Sequence, residues 1–146
     1  MSEQQLRQTI SALDLSKAQL ENLSRQQELI RGSLEEHLRS KETVEAFIKA
    51  EKGEEVLVPA GAGVYLHAKI GDGKSGVANI GAGVMMEKEL PDIVKLLDSR
   101  IEELRHAEQE LDEQAEKISY AIEQLSADAQ QQYASLQKPA QATKKK

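Results

Sequence analysis

The chain lacks cysteine and tryptophan, contains three prolines, and has an aromatic content of 3%. Without cysteine there is no disulfide framework, no thiolate nucleophile and no Cys-ligated metal. Leu, Ile, Val and Phe together make up about 23% of the 146 residues, just above the ~20% at which disorder becomes the default reading. So few large apolar side chains argue against a compact enzyme fold and fit long helices that each bury one narrow stripe. No apolar run approaches the ~18 residues of a membrane span. The opening Met1-Ser2-Glu3-Gln4-Gln5 has no apolar core of an export signal, so a soluble, cytoplasmic protein is expected. The net charge of −6 disfavours non-specific nucleic-acid binding.

Charged residues make up 30% of the chain, and glutamine occurs fourteen times. Eight of the nine glycines fall between Gly53 and Gly83, and Pro59 and Pro91 bracket much of the same stretch. Glycine thus separates two Gly-poor segments of similar length. In the first, Leu6, Leu13, Leu20, Gln27, Leu34, Lys41 and Ile48 alternate with Thr9, Ser16, Leu23, Ile30, His37 and Val44 in the 3-4 spacing of coiled-coil a and d positions. In the second, one set is Leu90, Leu97, Leu104, Leu111, Ile118, Leu125 and Gln132. Its companion set is Val94, Ile101, Glu108, Ala115, Ile122, Ala129 and Leu136. Pro91 suits a helical first turn, where a missing N–H is tolerated. Each segment predicts a helix of roughly 50 residues, about 75 Å long, too polar to stand alone. Their matched lengths predict an antiparallel pair within one chain.

The middle reads as β structure. Val56–Pro59, Val64–Ile70, Val77–Ile80 and Val84–Glu87 are strand-like, and Gly71–Gly76 is a turn. Gly-Ala-Gly-Val occurs at Gly61–Val64 and again at Gly81–Val84, predicting two tandem hairpins that each turn on Gly-Ala-Gly. Two short hairpins cannot close a core, and their edges are templates for another chain. The expected fold class is therefore α+β, mostly α: an antiparallel coiled-coil helical hairpin with two central β-hairpins that serve assembly. The expected division is 1–52 first helix, 53–88 hairpin module, 89–137 second helix and 138–146 a disordered Lys-rich tail.

Two phosphate-binding patterns fail on context. Gly71-x-Gly73-x-x-Gly76 precedes a strand rather than opening a helix, and Gly73-Lys74-Ser75 has Ala68 where a P-loop needs its first glycine. His37, His67 and His106 fall one to a segment without zinc spacing, and no catalytic constellation appears. Neither enzyme activity, a cofactor nor a metal is expected. The second helix carries eleven acidic and four basic residues over 90–137, the first 52 residues sum to −1, and 138–146 to +4. Ile10, Leu15, Tyr120 and Tyr133 lie off the seam towards the far end, where Thr9, Ser16, Ala129 and Gln132 weaken it. Two readings stay open there: ordinary helix-end fraying with satellite packing, or a weak contact surface for many partners.

The arrangement of long helix, Val58-Pro59, Gly61-Ala62-Gly63-Val64-Tyr65, Gly81-Ala82-Gly83-Val84, Glu87-Lys88 and second long helix resembles the prefoldin alpha subunit. The archaeal type, with two hairpins, fits best. That resemblance covers nearly the whole chain. It implies an ATP-independent chaperone built from two alpha and four beta-type subunits, whose hairpins join in a β-barrel. The coiled-coil tips would hold unfolded client proteins and pass them to a group II chaperonin. It implies assembly roles for Val56, Leu57, Val58, Val64, Leu66, Ile70, Val77, Ile80, Val84 and Met86. It implies client contacts at Leu6, Ile10, Leu13, Tyr133 and Leu136. The Lys144–Lys146 end is not part of the shared pattern. A different class of function, a structural coiled-coil tether docking one fixed partner through its β module, also accommodates the pattern.

Overall fold

The computed structural model describes residues 2–143. Its element order is α1 (Glu3–Lys49), β1 (Glu55–Gly61), β2 (Val64–Lys69), β3 (Ser75–Gly81), β4 (Val84–Glu89) and α2 (Leu90–Thr143). The residues form two compact units, Gly32–Arg105 and Met1–Arg31 with His106–Lys146. Both helices contribute to both units.

In the unit that holds the first part of α1, the helix opens with a reciprocal cap. The Gln5 amide N–H donates to Ser2 Oγ at 3.2 Å, and the Ser2 N–H donates to Gln5 Oε1 at 3.1 Å. This is a capping box written Ser2-x-x-Gln5, which satisfies two N–H groups that the helix leaves free. Pairing with α2 runs in reversed order. Gln27 Nε2 donates to Asp112 Oδ1 at 2.7 Å, and the Arg31 guanidinium lies 3.7 Å from both Glu108 and Asp112. Further along, Gln5, Gln8, Thr9 and Ala12 share a notch with Leu125 and Gln132.

The seam follows the heptads closely. Across the two units, all thirteen a and d positions of α1 and all fourteen of α2 are at least partly buried. Three polar members are accommodated individually. Thr9 Oγ1 donates to the Gln5 carbonyl, His37 Nδ1 lies 2.7 Å from the Ser33 carbonyl oxygen, and Lys41 reaches Asp98. Hydrogen bonds back to the same helix keep Thr9 and His37 in a half-apolar seam without a desolvated orphan.

The core of Gly32–Arg105 is Leu90, Ile93 and Leu97, with Val44, Phe47, Ile48 and Ala78 packed against it. Burying one such aliphatic side chain contributes about 1.5–3 kcal/mol, so this junction is where the hairpin module is tied to the helices. Lys74, in the turn between hairpins, closes it. Its Nζ donates to the carbonyls of Ile48 at 3.1 Å and Ala50 at 2.9 Å. A cation on the last carbonyls of α1 satisfies acceptors that the helix leaves unpaired and complements the negative end of its dipole. The Leu90 N–H donates to the Lys74 carbonyl, so the same residue also starts α2.

The strands form two separate two-stranded antiparallel sheets, β1–β2 and β3–β4, and no barrel closes among the described residues. Their registers repeat with a period of twenty: Val58 pairs with Leu66 as Ala78 pairs with Met86, and Gly61 with Val64 as Gly81 with Val84. Each turn places Ala and Gly in the left-handed region, with φ 51° at Ala62 and Ala82 and φ 76° at Gly63 and Gly83. Two consecutive positive φ values are what a tight two-residue hairpin turn requires. One alanine per turn therefore sits in a conformation costly for an L-residue.

Gly76 is the glycine whose size matters. A Cβ there would stand 3.0 Å from Ile93 Cδ1 and 3.4 Å from Leu90 Cδ2. Its counterpart in the first hairpin, Val56, has a full side chain. Gly76→Val is therefore expected to destabilise the junction by about 1–3 kcal/mol through overpacking. Thermal unfolding followed by circular dichroism measures this; an unchanged midpoint would show that Ile93 moves aside freely.

Element boundaries differ from the sequence expectation in one informative place. Composition assigns 138–146 to a tail, yet α2 continues to Thr143. Ala140, Gln141 and Ala142 are strong helix formers, and α2 runs past Pro139 although its missing N–H forgoes one helical hydrogen bond. Lys144–Lys146 lie outside the described residues.

Candidate assembly surface and coiled-coil contact residues

Strand alternation sorts the hairpin side chains. In β1–β2, Val56, Val58 and Ala60 share a face with Val64, Leu66 and Ala68. Every member is apolar. The opposite face carries Glu55, Leu57, Pro59, Tyr65, His67 and Lys69. In β3–β4, the equivalent face carries Gly76, Ala78 and Ile80 with Val84 and Met86, and has Lys88 opposite Gly76 where the first hairpin has Ala68 opposite Val56. Burial is graded along each hairpin. Val56 and Ala68 are partly covered near the helices, whereas Val58, Val64 and Leu66 are exposed towards the turn. In the second hairpin Ala78 packs on the core cluster, and Ile80, Val84 and Met86 are exposed. The Arg100 guanidinium donates to the Asn79 carbonyl and holds this hairpin on α2.

Of the ten side chains given assembly roles by sequence, eight are exposed: Leu57, Val58, Val64, Leu66, Val77, Ile80, Val84 and Met86. Val56 is partly buried, and Ile70 is buried at the base of the first hairpin, where its N–H donates to the Glu54 carbonyl. Tyr65 and Met85 are exposed as well and were absent from the sequence assignment. Both alternate onto the opposite face of their hairpins, the face that also carries Leu57 and Val77. A groove beside the first hairpin is lined by Phe47, Ala46, Ala50, Val56 and Leu57, among others. It places the chain's single phenylalanine between the end of α1 and β1.

The five residues expected to touch clients divide by heptad position. Leu6, Leu13 and Leu136 occupy the seam and are partly buried. Ile10 is 44% and Tyr133 57% exposed, and the Tyr133 hydroxyl accepts a hydrogen bond from Gln137 Nε2 at 2.8 Å. Leu15 and Tyr120 are exposed too, as is Leu29 at 75%. Leu29 lies farther from the helix ends than the five residues expected to touch clients, so a signal sought at the ends does not include it.

Electrostatics contribute register rather than chemistry. Lys41 Nζ lies 2.6 Å from Asp98 Oδ1 and 3.9 Å from Glu45 Oε1. The hydrogen bond to Asp98 holds the Lys41 ammonium above the ordinary lysine value of 10.5, with partial burial and Arg105 opposing. A raised lysine pKa contributes stability that is fully present below 10.5 and is lost as pH rises through the folded-state value. Lys41 is therefore expected to lose its proton above the ordinary lysine value in an NMR titration. Asp98→Asn should lower the Lys41 pKa; unchanged titration in that variant would remove the cross-helix pair as the cause. Among the described residues no group of three or more His, Asp or Glu side chains is placed to hold a metal. No described helix is long and apolar enough to cross a membrane.

The prefoldin family model, described as "Prefoldin subunit", matches residues 16–135. The chain belongs to the prefoldin family. Prefoldins are chaperone subunits, and within the family this chain is similar to archaeal alpha subunits. It is 35% identical over 141 residues to prefoldin subunit alpha 1 of Methanocaldococcus jannaschii, covering 97% of this chain and 94% of that protein. It is 28% identical over 144 residues to prefoldin subunit alpha of Nitrosopumilus maritimus, covering 99% of both. Identity reaches 41% over 90 residues with prefoldin subunit alpha 1 of Thermococcus kodakarensis, a match spanning 61% of each chain. Among solved structures, a filamentous prefoldin from Methanocaldococcus jannaschii superposes with a TM-score of 0.67 at 22% identity, covering 80% of this chain and 97% of that one. The prefoldin beta subunit from Thermococcus strain KS-1 gives 0.60 at 16%, covering 87% and 90%. At these identities the structural likeness speaks for the prefoldin fold: two long helices joined by small β-hairpins.

Proposed function

We propose that this chain is the alpha-type subunit of a cytoplasmic, ATP-independent holdase. It would assemble with beta-type subunits, two alpha to four beta, through its hairpins. Unfolded proteins would be captured at the coiled-coil ends and passed to a group II chaperonin. The observation that carries the reading is the pair of apolar hairpin faces. Val58, Val64 and Leu66 on one hairpin and Ile80, Val84 and Met86 on the other stand exposed in the isolated chain. Contiguous apolar surface of this kind marks an interaction site, and two-stranded sheets need further strands to be stable.

Capture follows from multivalency. Ile10, Leu15, Tyr120 and Tyr133 offer little apolar area on any one subunit, so each contact is weak. Several such ends on one assembly turn later contacts into intramolecular events and raise overall affinity without a new type of contact. Weak individual contacts also allow release by competition, which needs no nucleotide hydrolysis.

The test is to purify the chain with a beta-type partner, measure the mass of the complex by light scattering, and challenge it with several unrelated denatured proteins without ATP. A complex with the mass of six small subunits that suppresses aggregation of all of them, and yields them to a group II chaperonin, is expected. A complex with one fixed partner and no suppression would replace the holdase by a structural tether.

A further inference from the structure

The two hairpins repeat one another at an offset of twenty residues, down to the way each is anchored. The Ile70 N–H donates to the Glu54 carbonyl at 2.9 Å, as the Leu90 N–H donates to the Lys74 carbonyl at 2.8 Å. Ile70 and Leu90 are both buried. The copies diverge immediately afterwards. After β4 the chain enters α2, where Leu90 and Ile93 lie against Gly76 and Ala78 packs on the core cluster. After β2 it enters the connection 71–74, and Gly73 stands at the offset where the second copy has Ile93. No helix follows the first hairpin to cover the base of β1. An open groove lies there instead, with Ala46, Phe47 and Ala50 from the end of α1 on one side and Val56 and Leu57 on the other. Ala46 and Leu57 are exposed, whereas Phe47, Ala50 and Val56 are partly buried. Phe47 also packs against the core cluster, so the groove has a fixed back wall.

We propose that this groove receives an aliphatic side chain of a beta-type partner subunit, in the place that Ile93 fills for the second hairpin within the chain. The second hairpin is the template for the occupant: on the same backbone, the base of the strand is covered by an aliphatic side chain projecting from a helix. Residue size agrees with the difference. Gly76 leaves room for Ile93 of its own chain, whereas Val56 at the matching place adds apolar surface for a side chain arriving from outside. Filling an apolar groove gains by the area taken from water, and Glu42, Lys49 and Glu54 at its rim are all exposed, so their charges stay solvated. Val56 shares its face with Val58 and Leu66, which makes the groove continuous with the face proposed for assembly. A beta-type chain is the occupant because an assembly of two alpha and four beta-type chains holds one other alpha chain at most. The inference rests on assembly through the hairpins and adds to it a socket that the helix end helps to build.

The test uses the full chain and a purified beta-type subunit. Ala46→Trp fills the groove from an exposed helix position outside the core cluster, so the free chain should keep its helicity. Its affinity for the beta-type subunit is expected to fall about tenfold or more, because the occupant is overpacked. Arg39→Trp places the same ring on an exposed part of α1 outside the groove and should leave affinity unchanged. The chain lacks cysteine, so Ala46→Cys carries a single benzophenone label at the groove. Illumination of the complex should crosslink it to a Leu, Ile or Val of the beta-type subunit, identified by mass spectrometry. Unchanged affinity in Ala46→Trp, or a crosslink to a second copy of this chain, would overturn the socket; assembly through the hairpin faces would stand if Val58→Asp with Leu66→Asp still abolished the complex. Failure of the wild-type chain to bind the beta-type subunit would overturn both readings.

Discussion

Removing Glu3–Ser16 together with Glu123–Lys146 is expected to abolish suppression of client aggregation while leaving subunit assembly unchanged. The excised segments hold Ile10, Leu15 and Tyr133, exposed apolar side chains of the Met1–Arg31 and His106–Lys146 unit. The hairpin faces proposed for assembly belong to the other unit, whose core of Leu90, Ile93 and Leu97 is untouched. The remaining seam keeps Leu20, Leu23, Ile30, Leu111 and Ile118, all at least partly buried, so the shortened helices retain a partner stripe. Because avidity multiplies weak contacts, removing every end at once is expected to lower client affinity by about 10²–10⁴-fold. A light-scattering aggregation assay reads the loss directly. A companion variant that ends at Gln137 separates the effect of the Lys-rich end from that of the apolar residues, and it should suppress aggregation as well as the full chain. Undiminished suppression by the doubly shortened complex would refute capture at the helix ends.

The second large effect is expected at the first hairpin. Val58 and Leu66 are cross-strand partners on its uniformly apolar face, and both are exposed in the single chain. Val58→Asp with Leu66→Asp leaves the isolated chain able to fold, since neither side chain belongs to its core. In an assembly each aspartate would be taken from water into an apolar contact without a partner, a penalty of several kcal/mol per ion. A total of about 4 kcal/mol already lowers affinity about a thousandfold. The variant should elute as a free chain with undiminished helicity by circular dichroism. The milder Val58→Ala with Leu66→Ala removes apolar area without introducing charge, and is expected to give a weakened, concentration-dependent complex. Full assembly of the aspartate variant would move the interface to another surface, with the opposite face of Leu57 and Tyr65 the next to examine.

Much of the fold is legible in particular residues. A hydrophobic repeat sustained over six heptads has few solutions, and it located the seam position by position, even at Gln27, Lys41 and Glu108, where the residue is polar and the position is nonetheless partly covered. The repeated Gly-Ala-Gly-Val marked both hairpin turns because tight turns need positive φ and glycine supplies it without strain. Less legible were residues whose role depends on what lies across from them. Lys74 looks like a turn lysine in sequence; in the fold its ammonium caps the end of α1 from twenty-four and twenty-six residues away. Ser2 and Gln5 form a capping box whose spacing is local but does not stand out among so many polar residues. The residues proposed for assembly are separable from the core by sequence only in part. Val56 and Ile70 share the alternation of Val58 and Leu66, and the covering helices alone distinguish them.

Local chemistry in the sequence therefore determined the element types, the heptad seam and the two hairpins, because backbone propensity and side-chain period act within a few residues and need no knowledge of the rest of the chain. The tertiary structure decided which apolar side chains are covered and which remain exposed, and how Lys74 and Arg100 tie the hairpins to the helices. Those outcomes are set by distances between residues far apart in sequence, and burial and hydrogen-bond pairing exist only once the helices and hairpins have been brought together.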